Sequence, residues 1–264
     1  MNNEQLKEIK FWFDSFVAGF YGDEDYVNAN LKMKEDHSRR VCGEMLYLAD
    51  ELSLAENERL IAETIALLHD VGRFPQFVKY RTYHDPRSVN HCLLALDVVQ
   101  KENLLSELPV DERESIESAI KYHGDKELPF DLTGDTLLLS KMIRDADKLD
   151  IYYVITQSYI RHKNDPDNFK LEIELPDTPE YSGEVLDAVA LGRLIDNKTL
   201  RTWNDIKLCA LGWVFDVNFI PTLMRIKQRR FLETIFNFLP DTEDITEVRQ
   251  KVFAYIDSRI RRGK

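Results

Sequence analysis

The sequence lacks the features that mark several protein classes. Its 264 residues include only three cysteines, Cys42, Cys92 and Cys209, whose wide spacing indicates neither a disulfide framework nor a thiolate zinc site. Glycine is scarce, with ten residues, and no apolar run is long enough to cross a bilayer. Residues 1–4 show neither the basic region nor the apolar stretch of a signal peptide. We therefore expect a cytoplasmic globular protein with buried, reduced thiols.

Positive charge is also in deficit. Against 47 Asp and Glu residues there are 35 Lys and Arg, which gives a formal net charge of -12. Because a nucleic-acid polymer or an anionic membrane binds a basic surface, this balance argues against both as partners. A small anionic, phosphate-containing substrate is compatible with it, since metal ions and a few basic side chains would meet the charge locally. The sequence leaves the oligomeric state open, with a homo-oligomer as one alternative.

Apolar residues recur at spacings of three and four along most of the chain, which predicts an all-α fold. We expect one extended domain over residues 1–264, with a helical core at about 28–160 and a C-terminal helical extension at about 184–264. The proline-containing segment 164–183 between them is predicted to be irregular. Four helices are predicted in the extension, at 184–196, 198–217, 221–239 and 243–261.

Metal-ligand side chains interrupt or close several of the apolar stripes. The apolar run 66–68 ends in His69-Asp70, and burying an imidazole beside an ionised carboxylate is costly unless a partner such as a cation compensates. A lone histidine on such a stripe is more often a hydrogen-bonded core residue than a ligand. Several ligand types in one pattern instead predict a metal site. The candidates come from five segments: His37, His69, Asp70, His91, His123 and Asp147.

Gly72 and Pro75 are predicted to end regular structure after His69-Asp70, so that residues 75–86 form a loop. A second His-Asp dipeptide, His84-Asp85, lies in this polar segment and not at the end of an apolar helix. We interpret Asp85 as the N-cap of the following helix, with proline at its first position.

Two further aspartates flank Asp147 on the predicted long helix at 135–162. Asp145 and Asp150 lie about 200 and 300 degrees from Asp147 around the helix axis. We expect both side chains to point away from the metal site.

The set of His37, the His69-Asp70 pair and Asp147 resembles the signature of the HD-domain superfamily, over roughly residues 28–159. The resemblance implies an HD-domain helical bundle, here with additional C-terminal helices. In this family the four matching positions hold one divalent metal. Members with two further histidines hold a second ion, and the aspartate of the pair bridges both.

His91 and His123 match the positions of those further histidines, so the resemblance implies a dinuclear centre. The alternative is that one or both are ordinary helix-packing histidines. Imidazoles combined with carboxylates suit Mn, Fe, Ni, Co or Zn better than Mg or Ca. We therefore expect a divalent transition metal, with two ions per chain.

Most HD-domain proteins are metal-dependent phosphohydrolases. The resemblance thus implies an enzyme that cleaves a phosphomonoester or phosphodiester of a small nucleotide or related metabolite through a metal-bound hydroxide. Catalytic roles are predicted for Asp70 and for Arg73, which would bind the phosphoryl group; a surface arginine at a helix end is the alternative. Further candidates for substrate binding are Lys79, Arg81 and Lys148. The alternative for each is an ordinary charged side chain in contact with solvent.

Two other functions stay open because ligands alone do not fix a reaction. The same ligand pattern occurs in the HD-type diiron oxygenases, which include myo-inositol oxygenase. A non-catalytic metabolite-binding module that kept the metal pocket is the third possibility. The HD-GYP cyclic-dinucleotide phosphodiesterases are disfavoured, because Tyr122-His123-Gly124 lacks their His-His pair and the Gly-Tyr-Pro that follows it.

Overall fold

The computed structural model describes residues 1–169, 171 and 173–263. Throughout these residues the regular structure is helical and no strand occurs, which confirms the all-α prediction. Among the described helices, none combines the length and the apolar character that crossing a membrane requires.

The chain divides into two compact units, Met1–Asp150 and Ile151–Lys264, with the boundary inside the seventh helix. The single extended domain stays a prediction. The first seven helices are α1 (Asn3–Ala18), α2 (Asp25–Glu51), α3 (Glu56–Leu68), α4 (Arg73–Tyr80), α5 (His91–Lys101), α6 (Val110–Tyr122) and α7 (Gly134–Asn164). The remaining helices are α8 (Gly183–Ala190), α9 (Trp203–Gly212), α10 (Ile220–Gln228), α11 (Phe231–Phe236) and α12 (Glu243–Arg262).

Helices α2 and α3 form the centre of the first unit. They pack along each other, and α3 also contacts α1 and α6. Val41 and Met45 of α2 and Ile65 and Leu68 of α3 are fully buried. Each such side chain stabilises the fold by about 1.5–3 kcal/mol relative to an exposed one. This apolar contact holds the inward face of α2, which carries His37, in register with the end of α3.

A helix replaces the loop that was predicted after the His-Asp pair. Helix α4 follows α3 after four residues, and Pro75 does not interrupt it. Pro75 lies in the first turn, where the missing proline N–H would have no intrahelical partner in any case. The prediction of a loop from residue 75 was therefore wrong. The helix ends at Arg81, whose φ of 55° places it in the left-handed region.

Asp85 does not cap the next helix. It begins a short 3-10 helix, Asp85–Arg87, and α5 starts only at His91. The N-cap of α5 is Asn90, whose Oδ1 accepts a hydrogen bond from the Leu93 N–H at 2.9 Å. The predicted capping role of Asp85 was wrong, and its carboxylate is left to bind other groups.

Gly72 brings α5 against the end of α3. A Cβ atom at this position would lie 2.5 Å from both the Ala95 nitrogen and the His91 carbonyl oxygen. Contacts this short are not tolerated against backbone atoms, so only glycine lets the α5 backbone pass here. The close approach places the first residues of α5 beside Asp70.

The second unit has shorter helices than predicted. The predicted helix at 184–196 ends at Ala190, and the one at 198–217 begins only at Trp203, after Thr202 caps α9. The one at 221–239 is broken at Arg230, which has a φ of 56°. Only the last prediction, at 243–261, matches a whole helix. In the predicted irregular segment, residues 170 and 172 lie outside the described residues, and the described residues 165–182 contain no helix.

Side-chain hydrogen bonds set the start of α9. The carboxylate of Asp205 accepts hydrogen bonds from the backbone N–H groups of Ser182 at 2.7 Å, Arg201 at 2.8 Å and Thr202 at 3.1 Å. The bond from the Thr202 N–H to Asp205, together with the bond from the Asp205 N–H to Thr202 Oγ1, forms a capping box at the start of the helix. A hydrophobic pattern alone does not report this local capping, which explains why the predicted helix began too early.

Candidate metal centre

Four of the predicted ligands meet at the end of α3 in what we call the carboxylate cluster: His37, His69, Asp70 and Asp147. The Nε2 of His37 lies 3.2 Å from Asp147 Oδ1 and 3.4 Å from Asp70 Oδ2. The Nε2 of His69 lies 3.3 Å from His37 Nε2, 3.6 Å from Asp70 Oδ2 and 4.0 Å from Asp147 Oδ1. Two donors that share an ion at about 2.1 Å are separated by about 3.0–3.4 Å. The cluster therefore has nearly the spacing of a coordination sphere.

The other two predicted ligands form a second group, which we call the imidazole–thiol cluster: His91, His123 and Cys92, with the second oxygen of Asp70. The Nε2 atoms of His91 and His123 are 3.2 Å apart. Asp70 Oδ1 lies 3.6 Å from the first and 3.8 Å from the second. The Sγ of Cys92 is 3.4 Å from His91 Nε2 and 3.9 Å from His123 Nε2.

Asp70 links the two clusters. Its Oδ2 faces the carboxylate cluster and binds the Lys34 ammonium at 2.8 Å, while its Oδ1 faces the imidazole–thiol cluster. This Oδ1 is buried and accepts no hydrogen bond from any residue that the structure describes; Arg73 Nε lies nearest among the charged groups, at 3.4 Å. A buried carboxylate oxygen without a hydrogen bond is costly and needs a partner. The donors present here fit a cation at that position.

All four histidines of the two clusters use the same ring nitrogen toward the site. Each turns Nε2 inward and donates from Nδ1 to an acceptor behind it, and such a bond fixes the tautomer and orientation of a metal-binding histidine. The acceptors are Asp150 Oδ2 for His37 at 2.7 Å, the Ala66 carbonyl for His69 at 2.7 Å, Asp85 Oδ2 for His91 at 2.6 Å and the Ile120 carbonyl for His123 at 2.8 Å.

The two aspartates in this outer layer are themselves held by cations. Asp150 accepts from Arg40 at 2.5 and 3.0 Å. Asp85 accepts from Arg73 at 2.9 Å through its other oxygen. Asp150 was expected to point away from the site; its carboxylate instead lies behind His37. Asp145 is also buried, and its expected orientation away from the site stays a prediction.

The carboxylate cluster has strongly perturbed acid–base properties. Burial by itself lowers the pKa of His37, but the surrounding carboxylates, led by Asp147 and Asp150, raise it to about 10. Burial lowers the pKa of His69 to about 3, so this imidazole is neutral and ready to bind an ion. Burial disfavours the ionised form of Asp70, yet the Lys34 ammonium and His69 keep the Asp70 pKa well below its usual value.

The imidazole–thiol cluster shows shifts of the same kind. Although burial lowers the pKa of both histidines, the hydrogen bond to Asp85 raises that of His91, and Cys92 and Asp70 raise that of His123 well above the usual value. Burial raises the pKa of the Cys92 thiol, but the neighbouring His123 outweighs it and lowers the pKa to about 6. Clusters of perturbed groups of this kind are typical of functional sites.

The four basic residues that were predicted to bind substrate have different surroundings. Arg73 lies beside Asp70, but its Nη1 donates to Gln76 Oε1, the Tyr83 carbonyl and Asp85 Oδ1 within 2.6–2.9 Å. Arg81 is exposed and pairs with Glu24. The exposed Lys79 lies over the ring of Tyr80, and Lys148 is half-buried next to Asp147. Substrate binding by these four residues stays a prediction.

Lys34 was missed by the sequence analysis. Its ammonium contacts Asp70 Oδ2 at 2.8 Å and lies 5.5 Å from the centre of the Tyr83 ring. The signal was present in the sequence, because Lys34 precedes His37 by three residues and so shares its helix face. A lysine in an otherwise solvated stretch of α2 gives no other indication of a role.

Comparison with known proteins gives one match. A family model described as the HD domain matches residues 35–152. The matched region contains all six predicted metal ligands and ends close to the boundary of the first unit. No curated protein and no solved structure matches the chain significantly.

Proposed function

Because residues 35–152 belong to the HD-domain superfamily, we propose that the protein is a dinuclear, metal-dependent phosphohydrolase. Its substrate would be a phosphomonoester or phosphodiester of a small nucleotide or related metabolite. Members of this family are generally metal-dependent hydrolases, which supports the reaction class. The net charge of -12 supports a small substrate over a nucleic-acid polymer. The negative charge of such a substrate would be neutralised by metal ions and basic side chains at the site.

The observation that carries the proposal is the position of Asp70. One buried carboxylate turns its two oxygens toward two separate groups of inward-facing imidazoles. A hydrogen-bonded core aspartate would have both oxygens satisfied by protein donors, whereas Oδ1 here has no hydrogen bond among the described residues. Paired donor groups on either side of one carboxylate are what two neighbouring cations require. When bound, such ions polarise phosphoryl oxygens and activate water for in-line displacement.

Two partly exposed charged side chains near Asp70 indicate where substrate would enter. The Asp147 side chain is 20% exposed and that of Lys34 is 17% exposed, while those of His37, His69 and Asp70 are 5% exposed or less. A phosphoryl group that approaches on this side would meet the Lys34 ammonium, a point charge suited to phosphate. Arg73 would instead orient His91 through Asp85, since its Nη1 already has protein acceptors.

The test is phosphate release from a panel of phosphomonoesters and phosphodiesters under anaerobic conditions, with Mn, Co, Ni, Fe or Zn added after metal removal. We expect release with at least one ion, and its loss in His69→Ala. The matched control is His84→Ala, because His84 is the exposed histidine of the other His-Asp dipeptide. A chain that binds two ions yet releases no phosphate, or that consumes oxygen with a polyol substrate when loaded with iron, would contradict the proposal.

A further inference from the structure

Cys92 lies within the second group of donors. The residue is 1% exposed, and its Sγ contacts the inward-facing Nε2 atoms of His91 and His123. The other two cysteines are different: Cys42 Sγ lies near the Glu63 carbonyl and Cys209 Sγ near Asn197, at 3.8 and 3.7 Å. Among the residues that the structure describes, Cys92 is the one cysteine of the three that belongs to a group of side chains that could share an ion.

We propose that Cys92 is a thiolate ligand of the ion held by His91 and His123. The inference rests on the metal centre of the proposed function and goes beyond it, because it adds a sulfur donor to one of the two positions. On binding, the S–H proton is released to solvent as the sulfur–metal bond forms.

The distances fit a tetrahedral ion. With metal–nitrogen bonds of about 2.0–2.1 Å and a metal–sulfur bond of about 2.3 Å, tetrahedral angles separate two nitrogens by about 3.4 Å and a nitrogen from a sulfur by about 3.6 Å. The observed separations are 3.2 Å between His91 Nε2 and His123 Nε2, and 3.4 and 3.9 Å from these atoms to Cys92 Sγ. Asp70 Oδ1, at 3.6 and 3.8 Å from the same nitrogens, would add an oxygen donor.

The surrounding backbone keeps this arrangement. A Cβ atom at position 124 would lie 2.9 Å from Cys92 Sγ and 3.1 Å from the Cε1 of His91. Any residue other than glycine would therefore push the thiol and the imidazole out of their positions. The outward Nδ1 bonds of His91 and His123 fix the other two donors, so all three are oriented before an ion binds.

A sulfur donor changes which metals the position prefers. Thiolates favour zinc, iron and other softer ions, whereas the oxygen-rich carboxylate cluster also suits manganese. The two positions would then differ in metal preference. The sequence predicted no thiolate site because its three cysteines show no paired spacing, and a single cysteine next to a histidine gives no such signal.

The test is X-ray absorption spectroscopy of the full chain loaded with two zinc equivalents. We expect a Zn–S path at about 2.3 Å, distinct from the Zn–N and Zn–O paths at about 2.0–2.1 Å. The path should vanish in Cys92→Ala and persist in the control that carries both Cys42→Ala and Cys209→Ala. With cobalt in place of zinc, the same variants should lose or keep a near-ultraviolet thiolate-to-cobalt charge-transfer band.

The wild-type spectrum can overturn the inference without any variant having to fold, while the variants assign the sulfur to Cys92. A protein that holds two zinc ions without a sulfur path would overturn it, whatever its activity. So would a sulfur path that survives Cys92→Ala. A sulfur path that depends on Cys92 in a protein that releases no phosphate would support the ligand and refute the proposed reaction, so the two failures can be told apart.

Discussion

The two donor clusters share Asp70 but differ in chemistry and exposure. The carboxylate cluster adds Asp147 to two imidazoles, and the Asp147 side chain is 20% exposed. The imidazole–thiol cluster adds Cys92, and its histidine side chains are 10% exposed or less. The hydrogen-bond partners of the histidines differ as well. His37 donates to Asp150, which accepts from Arg40. His91 donates to Asp85, which accepts from Arg73.

This difference suggests a division of tasks. The more accessible position, with hard oxygen donors and Lys34 at its edge, is suited to exchange water and substrate. The more buried position, with the proposed softer donor, would be suited to keep its ion. If both positions hold an ion as proposed, the shared Asp70 carboxylate would let each ion influence the other, because both would draw charge from the same group.

The largest effect is expected where the clusters meet. Asp70→Asn removes the charge that both positions share, so both ions should be lost. Activity should fall by more than about 100-fold, since even the hydrogen-bond partners of ligands change affinity or activity by about 10–100-fold. Metal analysis and phosphate release would measure this. A variant that keeps two ions per chain would show that Asp70 does not join the clusters.

Single histidine variants should separate the clusters. His37→Ala is expected to remove the ion of the carboxylate cluster, and His123→Ala that of the imidazole–thiol cluster, with one equivalent left in each case. In zinc-loaded protein the sulfur path should remain in His37→Ala and disappear in His123→Ala. The same outcome for both variants would mean that the positions are not independent sites.

The outer carboxylates should give a smaller, cluster-specific effect. Asp150→Asn weakens the support of His37, and Asp85→Asn that of His91. Each is expected to lower the affinity of its own position by about 10–100-fold. Competition with a chelator would measure both affinities. If either substitution left both affinities unchanged, the proposed orienting role of that carboxylate would be wrong.

Lys34→Met should lower kcat/KM for the substrate without lowering the number of bound metal ions. Losing the ammonium near Asp70 Oδ2 removes a charge-assisted contact worth about 1.5–3 kcal/mol, or roughly 10–100-fold in kcat/KM, with two ions still bound. Lys32→Met is the matched control, because Lys32 lies on the same helix but pairs with Glu35 and Asp36. Equal losses in the two variants would argue against a substrate contact at Lys34.

The last effect depends on pH. The pKa of His37 is raised from 6.5 to about 10, so its protonated form stabilises the fold below about pH 6.5, and that contribution is lost as pH rises through about 10. An ion must displace this proton. Affinity at the carboxylate cluster should therefore rise about tenfold per pH unit between 6.5 and 8.5. Calorimetry in buffers of different ionisation enthalpy would count the protons, and a pH-independent affinity would contradict the shift.

The sequence indicated the fold class and the residues on its inward faces, because both follow from local periodicity. His37, His69 and Asp147 were placed on apolar stripes, and the structure brings these residues together with Asp70; that they bind metal stays a prediction. Helix α4 was missed because Pro75 was interpreted as a helix breaker, although the first turn tolerates proline.

The features that the sequence did not predict depend on contacts between side chains or on a residue that belongs to no spacing pattern. The contact between Asp150 and His37 spans more than a hundred residues. Asp85 and His91 are only six residues apart, but Asp85 had been interpreted as a helix cap. Cys92 carries no paired-cysteine spacing. The resemblance identified the ligand types, while the orientation of each ligand depends on tertiary structure.

Anomalous diffraction from metal-loaded crystals tests the central claim most directly. Data collected at the absorption edge of the bound metal should show two peaks, one on each side of the Asp70 carboxylate. We expect one near His37, His69 and Asp147, and the other near His91, His123 and Cys92. A single peak at saturating metal, or two peaks that do not share Asp70, would contradict a dinuclear centre built on this residue.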